Sequence, residues 1–384
     1  MKDGEDAGRY RFRHGFIDDD GNYDAWGSAL LVDLNGDGHL DYVTGGRGGG
    51  FLFWYEYGGG RWTKHVMADD FSPSVGATSV DLDGDGRVEI VCGEWEPEGR
   101  LWWIVPPGDP RERWRKHVVA QGHHAPHDIL SGDVDNDGRP EVIVRVKDEG
   151  IWCYFAPPDP ARRWRRVLVA RKVPGDGTAL YDLDGDGNLD IVTAGAWFRN
   201  VNGDGTRWEE HPFLPATLGW DRETRLAVAH VLEGPRPQLV MTESEKTRGA
   251  RLAIAHVPED PRRSPWEVEV IVPEERDLRA LHSLAVADFD GDGRLEIFTA
   301  EMENAKTDGI GKKPRWFILK PAAGRWEEHV ILDRNLGTHE ARVGDVTGNG
   351  LPDIVGKTWR PNKVNGNRGR QHVDWLENLG APGA

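Results

Sequence analysis

"DLDGDGRVEIVCGEW" (81–95) sets carboxylates at Asp81, Asp83, Asp85 and Glu89 around two glycines, then runs on into β-branched and small apolar residues. Side-chain oxygens at positions 1, 3, 5 and 9 of so short a loop, with glycine permitting the tight turn, suit a hard cation such as Ca2+. The apolar runs before and after the loop have the composition of strands bounded by turn residues. One such segment predicts a hairpin; its recurrence predicts an architecture.

Five further copies follow the same pattern: "DLNGDGHLD" (33–41), "DVDNDGRPE" (133–141), "DLDGDGNLD" (182–190), "DFDGDGRLE" (288–296) and "DVTGNGLPD" (345–353). Their first residues stand about 50 apart, except for a gap of 106 between Asp182 and Asp288. A worn copy, "RLAVAHVLEGPRPQLVM" (225–241), fills that gap with His230 in the place of the first Asp. Most units continue with an aromatic run such as "FLFWYEY" or "RWFILKP" and a Trp-containing segment such as "RWTKHVM" or "RWEEHVI". Four strands per unit, and no sustained helical period, describe the blades of a propeller. The fold expected is therefore all-β, a single seven-bladed propeller domain over residues 1–384. The N-terminal "RYRFRHGFID" (9–18) reads as a fourth strand and the C-terminal "HVDWLENLG" (372–380) as a third, so the two ends should share the last blade and close the ring. Trp62, Trp102, Trp114, Trp152, Trp164, Trp208, Trp266, Trp316 and Trp326 recur in third and fourth strands and read as packing between blades. His65, His117, His211 and His329, in fourth strands, read as packing too.

Calcium ligands are expected at Asp33, Asn35, Asp37 and Asp41; Asp81, Asp83, Asp85 and Glu89; Asp133, Asp135, Asp137 and Glu141; Asp182, Asp184, Asp186 and Asp190; and Asp288, Asp290, Asp292 and Glu296. Asp345, Asn349 and Asp353 form a weaker set, because Thr347 and Asn349 replace two carboxylates. The unit with His230 and Glu233 is expected to have lost its ion. The alternative is metal-free Asx-turns, against which stands the repulsion of crowded carboxylates. This arrangement resembles the calcium-loop propellers of the FG-GAP and VCBS repeat families.

The formal net charge of -17 disfavours a nucleic-acid partner, since a phosphate backbone would be repelled. Only Cys92 and Cys153 are present, both in strand-like runs, so no disulfide framework is expected. No stretch has the length of a membrane span. The opening "MKDGEDAGRY" lacks an apolar signal segment, which leaves an intracellular chain or one whose leader has been removed.

Residues six places before each loop start are Gly27, Val75, His127, Asp176, Thr224, His282 and His339. Such a residue should lie at the far end of the innermost strand, facing the channel mouth opposite the acidic loops. His127, His282 and His339 would then converge on one transition metal, for which zinc is the expectation, with Asp176 as a fourth ligand or as a partner orienting an imidazole. A metal-free histidine cluster for acid–base work, or histidines buried for hydrogen bonding, are the other readings. Glu301 and His124 are candidate bases, with Glu340 in support. Asp24, Arg47, Trp95, Lys147, Arg225, Glu243, Lys357 and Trp359 would line the mouth, a mixture of charge and aromatic surface suited to carbohydrate.

At "ALHSLAVADFDGDGRLEIFTAEM" (280–302) and "LGTHEARVGDVTGNGLPDIVGKTW" (336–359), with "HHAPHD" (123–128) and "HVDWLEN" (372–378), the chain resembles the propeller domain of the aldos-2-ulose dehydratases. That resemblance implies a metal in the propeller cavity and the dehydration of keto-sugars such as anhydrofructose. Fungal-type members carry further cupin-like domains, for which this sequence has no counterpart. The function expected is a metal-dependent carbon–oxygen lyase acting on keto-sugars or keto-glycosides by β-elimination. A propeller-type lyase of uronate polymers, a metal-dependent hydrolase and a non-enzymatic adhesion or scaffold propeller are the alternatives.

Overall fold

The computed structural model describes residues 9–381 apart from 22, 49, 96–97, 148, 172, 174–175, 304–312 and 362–364. Each acidic loop turns a β-hairpin, and the ninth loop residue is always the first residue of the second strand: Val80 pairs with Glu89, Gly132 with Glu141 and Ala287 with Glu296. Two more antiparallel strands follow, giving seven four-stranded sheets. The innermost strands are Trp26–Val32, Pro73–Val80, Pro126–Gly132, Thr178–Tyr181, Thr224–Ala229, Leu281–Ala287 and Glu340–Gly344, which number blades one to seven. Each touches the innermost strands of its two neighbours, so together they wall the channel. The seven-bladed, all-β architecture expected from the repeat is the one found.

The ring closes as the terminal segments predict. Phe12–Gly21 pairs with Gln371–Asn378, from Phe12 against Asn378 to Gly21 against Gln371, and so supplies the fourth strand of blade seven. Asn378 adds a stitch between blades: its backbone N–H donates to Asp353 (2.7 Å) and its side-chain amide to the Phe289 carbonyl of blade six (2.8 Å).

Seven apolar clusters hold the molecule together, each built from two adjacent blades. All nine recurrent tryptophans fall in them. Burying one such ring contributes roughly 4–6 kcal/mol before the cost of ordering it. The fourth-strand histidines pack as expected: His65, His117 and His211 lie against Trp54, Trp103 and Trp197, with ring centroids 4.8–5.0 Å apart, and His329 lies 4.9 Å from Tyr10. Both cysteines are buried and unpaired. Among the described residues, no helix is long and apolar enough to cross a membrane.

Candidate active site at the channel mouth

The two ends of the innermost strands carry different chemistry. At the loop end, the ninth-position carboxylate turns inward and accepts the backbone N–H of the second loop residue: Glu89 from Leu82 (2.8 Å), Glu141 from Val134 (3.0 Å), Glu296 from Phe289 (2.8 Å) and Asp41 from Leu34 (3.0 Å). Asp190 and Asp353 do the same with Leu183 and Val346. Burial pushes Asp41, Glu89, Glu141 and Asp190 up to about 7, and Asp353 to about 6. The first Asp of each loop caps the glycine N–H groups, as Asp81 does for Gly84 (2.8 Å) and Gly86 (2.9 Å). Acidic side chains of blades two, three, four and six bring donor oxygens within 4.8 Å of one another, an arrangement able to hold a metal ion and consistent with calcium. In blade five, Gln238 fills the ninth position and keeps an equivalent bond from the Leu232 N–H (2.9 Å) without a charge. Asn349 of blade seven donates its amide to the Asn378 carbonyl (2.9 Å).

At the opposite end the histidine register meets irregular backbone. His127 lies at a register shift between Pro126 and Asp128, and His282 at one between Leu281 and Ser283. A bulge of this sort re-aims a side chain. His339 immediately precedes its strand, with its N–H on the Lys357 carbonyl (2.8 Å).

His282 and His339 come together, their rings stacked with centroids 3.9 Å apart. The Nδ1 of His282 meets the backbone carbonyl of His339, which orients its Nε2 outward, 3.4 Å from Glu245. Glu245, His282 and His339 offer donor atoms within 4.8 Å of one another. Burial and then the Arg225 guanidinium push His282 down to about 4, and burial with His282 as neighbour holds His339 well below the usual imidazole range. Both rings are therefore neutral at pH 7, the form that ligates a metal. An N–H of one ring directed at a carbonyl, freeing the other nitrogen, is the usual orientation of a metal-binding histidine. The Nδ1 of His339 is buried without a hydrogen-bond partner among the described residues. These three side chains could hold a metal ion.

His127 belongs to a second group. Its Nδ1 lies 3.0 Å from Asp128 and its Nε2 3.5 Å from Asp176, which also takes Arg145. Burial would raise Asp176, but His127, a hydrogen bond with Glu223, Arg145 and Lys147 outweigh it and hold the carboxyl well below its ordinary range. Lys147 reaches Glu223 (2.9 Å). Arg225 bridges the two groups, 3.0 Å from His282 Nδ1 and 3.8 Å from Asp128. His127, Asp128, Arg225, His282 and Glu340 line a common cavity of about 130 Å3 in the channel. The tier expected to close as three histidines thus has Glu245 beside His282 and His339, with His127 turned toward Asp128 and Asp176.

Glu340, expected only in support of the candidate bases, lines the cavity. One of its oxygens accepts from Arg342 (2.6 Å); the other has no hydrogen-bond partner among the described residues and stands 3.6 Å from the fully buried Lys357 ammonium, itself without one. Burial pulls Lys357 down to about 8. Glu301 is committed elsewhere, to the backbone N–H groups of Arg279 (3.0 Å) and Arg315 (3.1 Å). His124 is exposed, its backbone N–H on Glu149 (3.0 Å). Among the expected lining residues, Arg47 is stacked between Trp95 (3.6 Å) and Trp359 (4.3 Å), and Trp359 lies 4.4 Å from His339. One stack therefore runs from Trp95 to His282. Glu243 is taken up by Arg251 and Lys246, while Asp24 is exposed beside Gly48. Glu245 and Glu223 lie outside the repeat register, so nothing in the repeat pointed to them.

Propellers of similar shape have unrelated sequences. BBS1N, solved in complex with ARL6DN, matches with a TM-score of 0.54 at 11% identity, over 95% of this chain and 97% of that one. YCF48 bound to a D1 peptide gives 0.50 at 13% identity, over 97% and 96%. A putative glucose dehydrogenase of Thermus thermophilus gives 0.45 at 14%, over 95% and 100%. No curated protein matches the sequence. A shared fold alone leaves the activity open. The family model for the FG-GAP-like repeat matches residues 33–92, 81–144, 133–193 and 288–356. Those matches cover more than half of the chain, which is thus a member of the FG-GAP-like repeat family.

Proposed function

We propose that the chain is a metal-dependent carbon–oxygen lyase that acts on keto-sugars or keto-glycosides by β-elimination at the channel mouth. The observation that carries this reading is the Glu245, His282 and His339 group, with both imidazoles neutral and an ionised carboxylate, Glu340, beside them. A divalent cation such as Zn2+ bound there supplies Lewis acidity toward a ketone oxygen, worth several kcal/mol. Glu340 is the base that takes the α-proton: Arg342 fixes one oxygen and leaves the other without a hydrogen-bond partner among the described residues, 3.6 Å from Lys357. Burial opposes its ionisation, but Arg342, Lys357 and Arg225 outweigh burial. The indole of Trp95, held against Arg47, offers a flat face for a sugar ring. Expulsion of the β-oxygen as water or an alcohol consumes one proton, equal to the one removed, so the elimination needs no further reactant.

Two measurements test the proposal together. Elemental analysis of the dialysed protein should find about one equivalent of transition metal per chain besides calcium, and His339→Ala should lose it. Glu340→Gln should retain the metal and lose turnover of keto-sugars by at least about 100-fold, within the range of a positioned acid–base group. Calcium alone, or full turnover by Glu340→Gln, would sink the lyase reading in favour of a binding propeller or a different base. Activity confined to intact uronate polymers would move the substrate to the polysaccharide class.

A further inference from the structure

Donor spacing makes the acidic loops look alike, yet the residue that the third strand sets against the loop varies in charge from blade to blade. The register fixes the position: Ile297 pairs with Leu319 and is followed by Lys320, while Ile191 pairs with Phe198 and is followed by Arg199. The same position holds Glu56 in blade one, Val105 in blade two, Phe155 in blade three, His256 in blade five and Glu377 in blade seven.

In blade six the Lys320 ammonium sits among the carboxylates, 2.9 Å from Asp290, 2.7 Å from Asp292 and 2.7 Å from Glu296, with its side chain only 7% exposed. In blade four Arg199 lies 2.5 Å from both Asp184 and Asp186. Calcium requires six to eight oxygens at about 2.3–2.6 Å around a single point. An ammonium bonded to three carboxylates fills that point and neutralises much of the charge that makes a loop attract a cation. Admitting an ion would require withdrawing a buried cation from three charge-assisted hydrogen bonds, the strong kind.

We propose that Lys320 and Arg199 are built-in counter-ions that replace calcium in blades six and four, so that these two loops bind no divalent cation although they carry the full acidic motif. The cations are then confined to loops whose facing residue is apolar or acidic. The inference concerns the loop end alone and is independent of the proposed activity.

The test is calcium stoichiometry in the full chain, read by titration calorimetry with calcium alone and by elemental analysis after dialysis. Lys320→Met and Arg199→Met, each purified in millimolar calcium, should each bind one calcium more than the parent. Lys320→Met should also melt several degrees lower in chelator and recover with calcium, a dependence stronger than the parent's. Equal stoichiometry in parent and variants, or a parent that already binds an ion in blades four and six, overturns the proposal. Should Lys320→Met fail to fold, Arg199→Met, whose side chain is 21% exposed, carries the same comparison.

Discussion

The innermost strands have two ends, and their buried polar groups are satisfied in opposite ways. At the loop end the partner lies in the same hairpin: Glu89 takes the Leu82 N–H from 7 residues away, and six blades repeat the arrangement. At the mouth several partners come from other blades: Arg225 holds His282 from 57 residues away, and Glu303 holds the Trp359 N–H from 56. Local satisfaction can be copied with the repeat, while satisfaction between blades has to be built once and differently at each seam. The loop end therefore stabilises a fold, and the mouth is where one molecule can differ from another of the same architecture.

Both ends depend on closure, so the largest effect should follow from breaking it. Deleting residues 9–21 removes the strand paired to Gln371–Asn378 and uncovers part of the core around Phe298, Trp316 and Leu376. The expected result is loss of a cooperative thermal transition by circular dichroism, rather than a modest shift. A deletion variant that still melts cooperatively near the parent temperature would mean that the seven blades do not form one closed unit.

Next in size are single changes at the loop end. Glu89→Ala leaves the Leu82 N–H buried without an acceptor, which should cost about 1–3 kcal/mol. Glu89→Gln keeps an acceptor, as Gln238 does in blade five, and should cost less when calcium is removed. Chemical denaturation of the two variants, with and without chelator, checks both the size and the order. Equal losses for Ala and Gln would show that the carboxylate's charge, and not its hydrogen bond, is what the loop needs. Neither variant should alter transition-metal content at the mouth.

At the mouth the signature reverses. His282→Ala should lower transition-metal affinity by more than about 100-fold, leave calcium stoichiometry unchanged and move the melting temperature little in the metal-free protein. A parallel loss of calcium would mean that the two ends are coupled.

The same contrast accounts for what was legible in the sequence. Seven blades, four strands each, closure by the termini, and the packing roles of Trp102, Trp164 and Trp316 all follow from periodic signals that recur in register. The register also picked out His282 and His339, because the repeat places both at the mouth. It missed Glu245, which lies two residues beyond Glu243, the position thirteen places after a loop start that Glu94 and Glu301 occupy in their own units. It also cast Glu301 as a base, although its carboxylate is occupied by two backbone N–H groups. His127 and His282 share a register and a backbone irregularity, yet one faces Asp176 and the other Glu245. Which neighbour each meets depends on the adjoining blade, and no period along the chain encodes that. Lys320 and Val105 occupy equivalent positions for the same reason: the repeat fixes where a residue stands and leaves its charge free.

The smallest effect expected is also at the mouth, in blade seven, where His372 contacts Asp374 (2.5 Å) and His14 of the closing strand contacts the other oxygen (2.8 Å). Burial lowers His372, but Asp374 and then Glu303 outweigh it, so its value in the folded protein lies above the ordinary imidazole near 6.5. A raised value means that the folded state holds the proton more tightly. The stabilisation is then full below about 6.5 and disappears as pH rises through the folded value. For Asp374, burial raises the carboxyl, but His372 and His14 outweigh burial and hold it low. Its share is present above about 4 and is lost as pH falls through its folded value. The contact should therefore be strongest between about pH 4 and 6.5. Melting curves in saturating calcium should show the parent losing stability relative to His372→Gln as pH rises above about 6.5. Parallel curves for the two proteins would mean that the imidazole is neutral throughout and that Asp374 is held by hydrogen bonding alone.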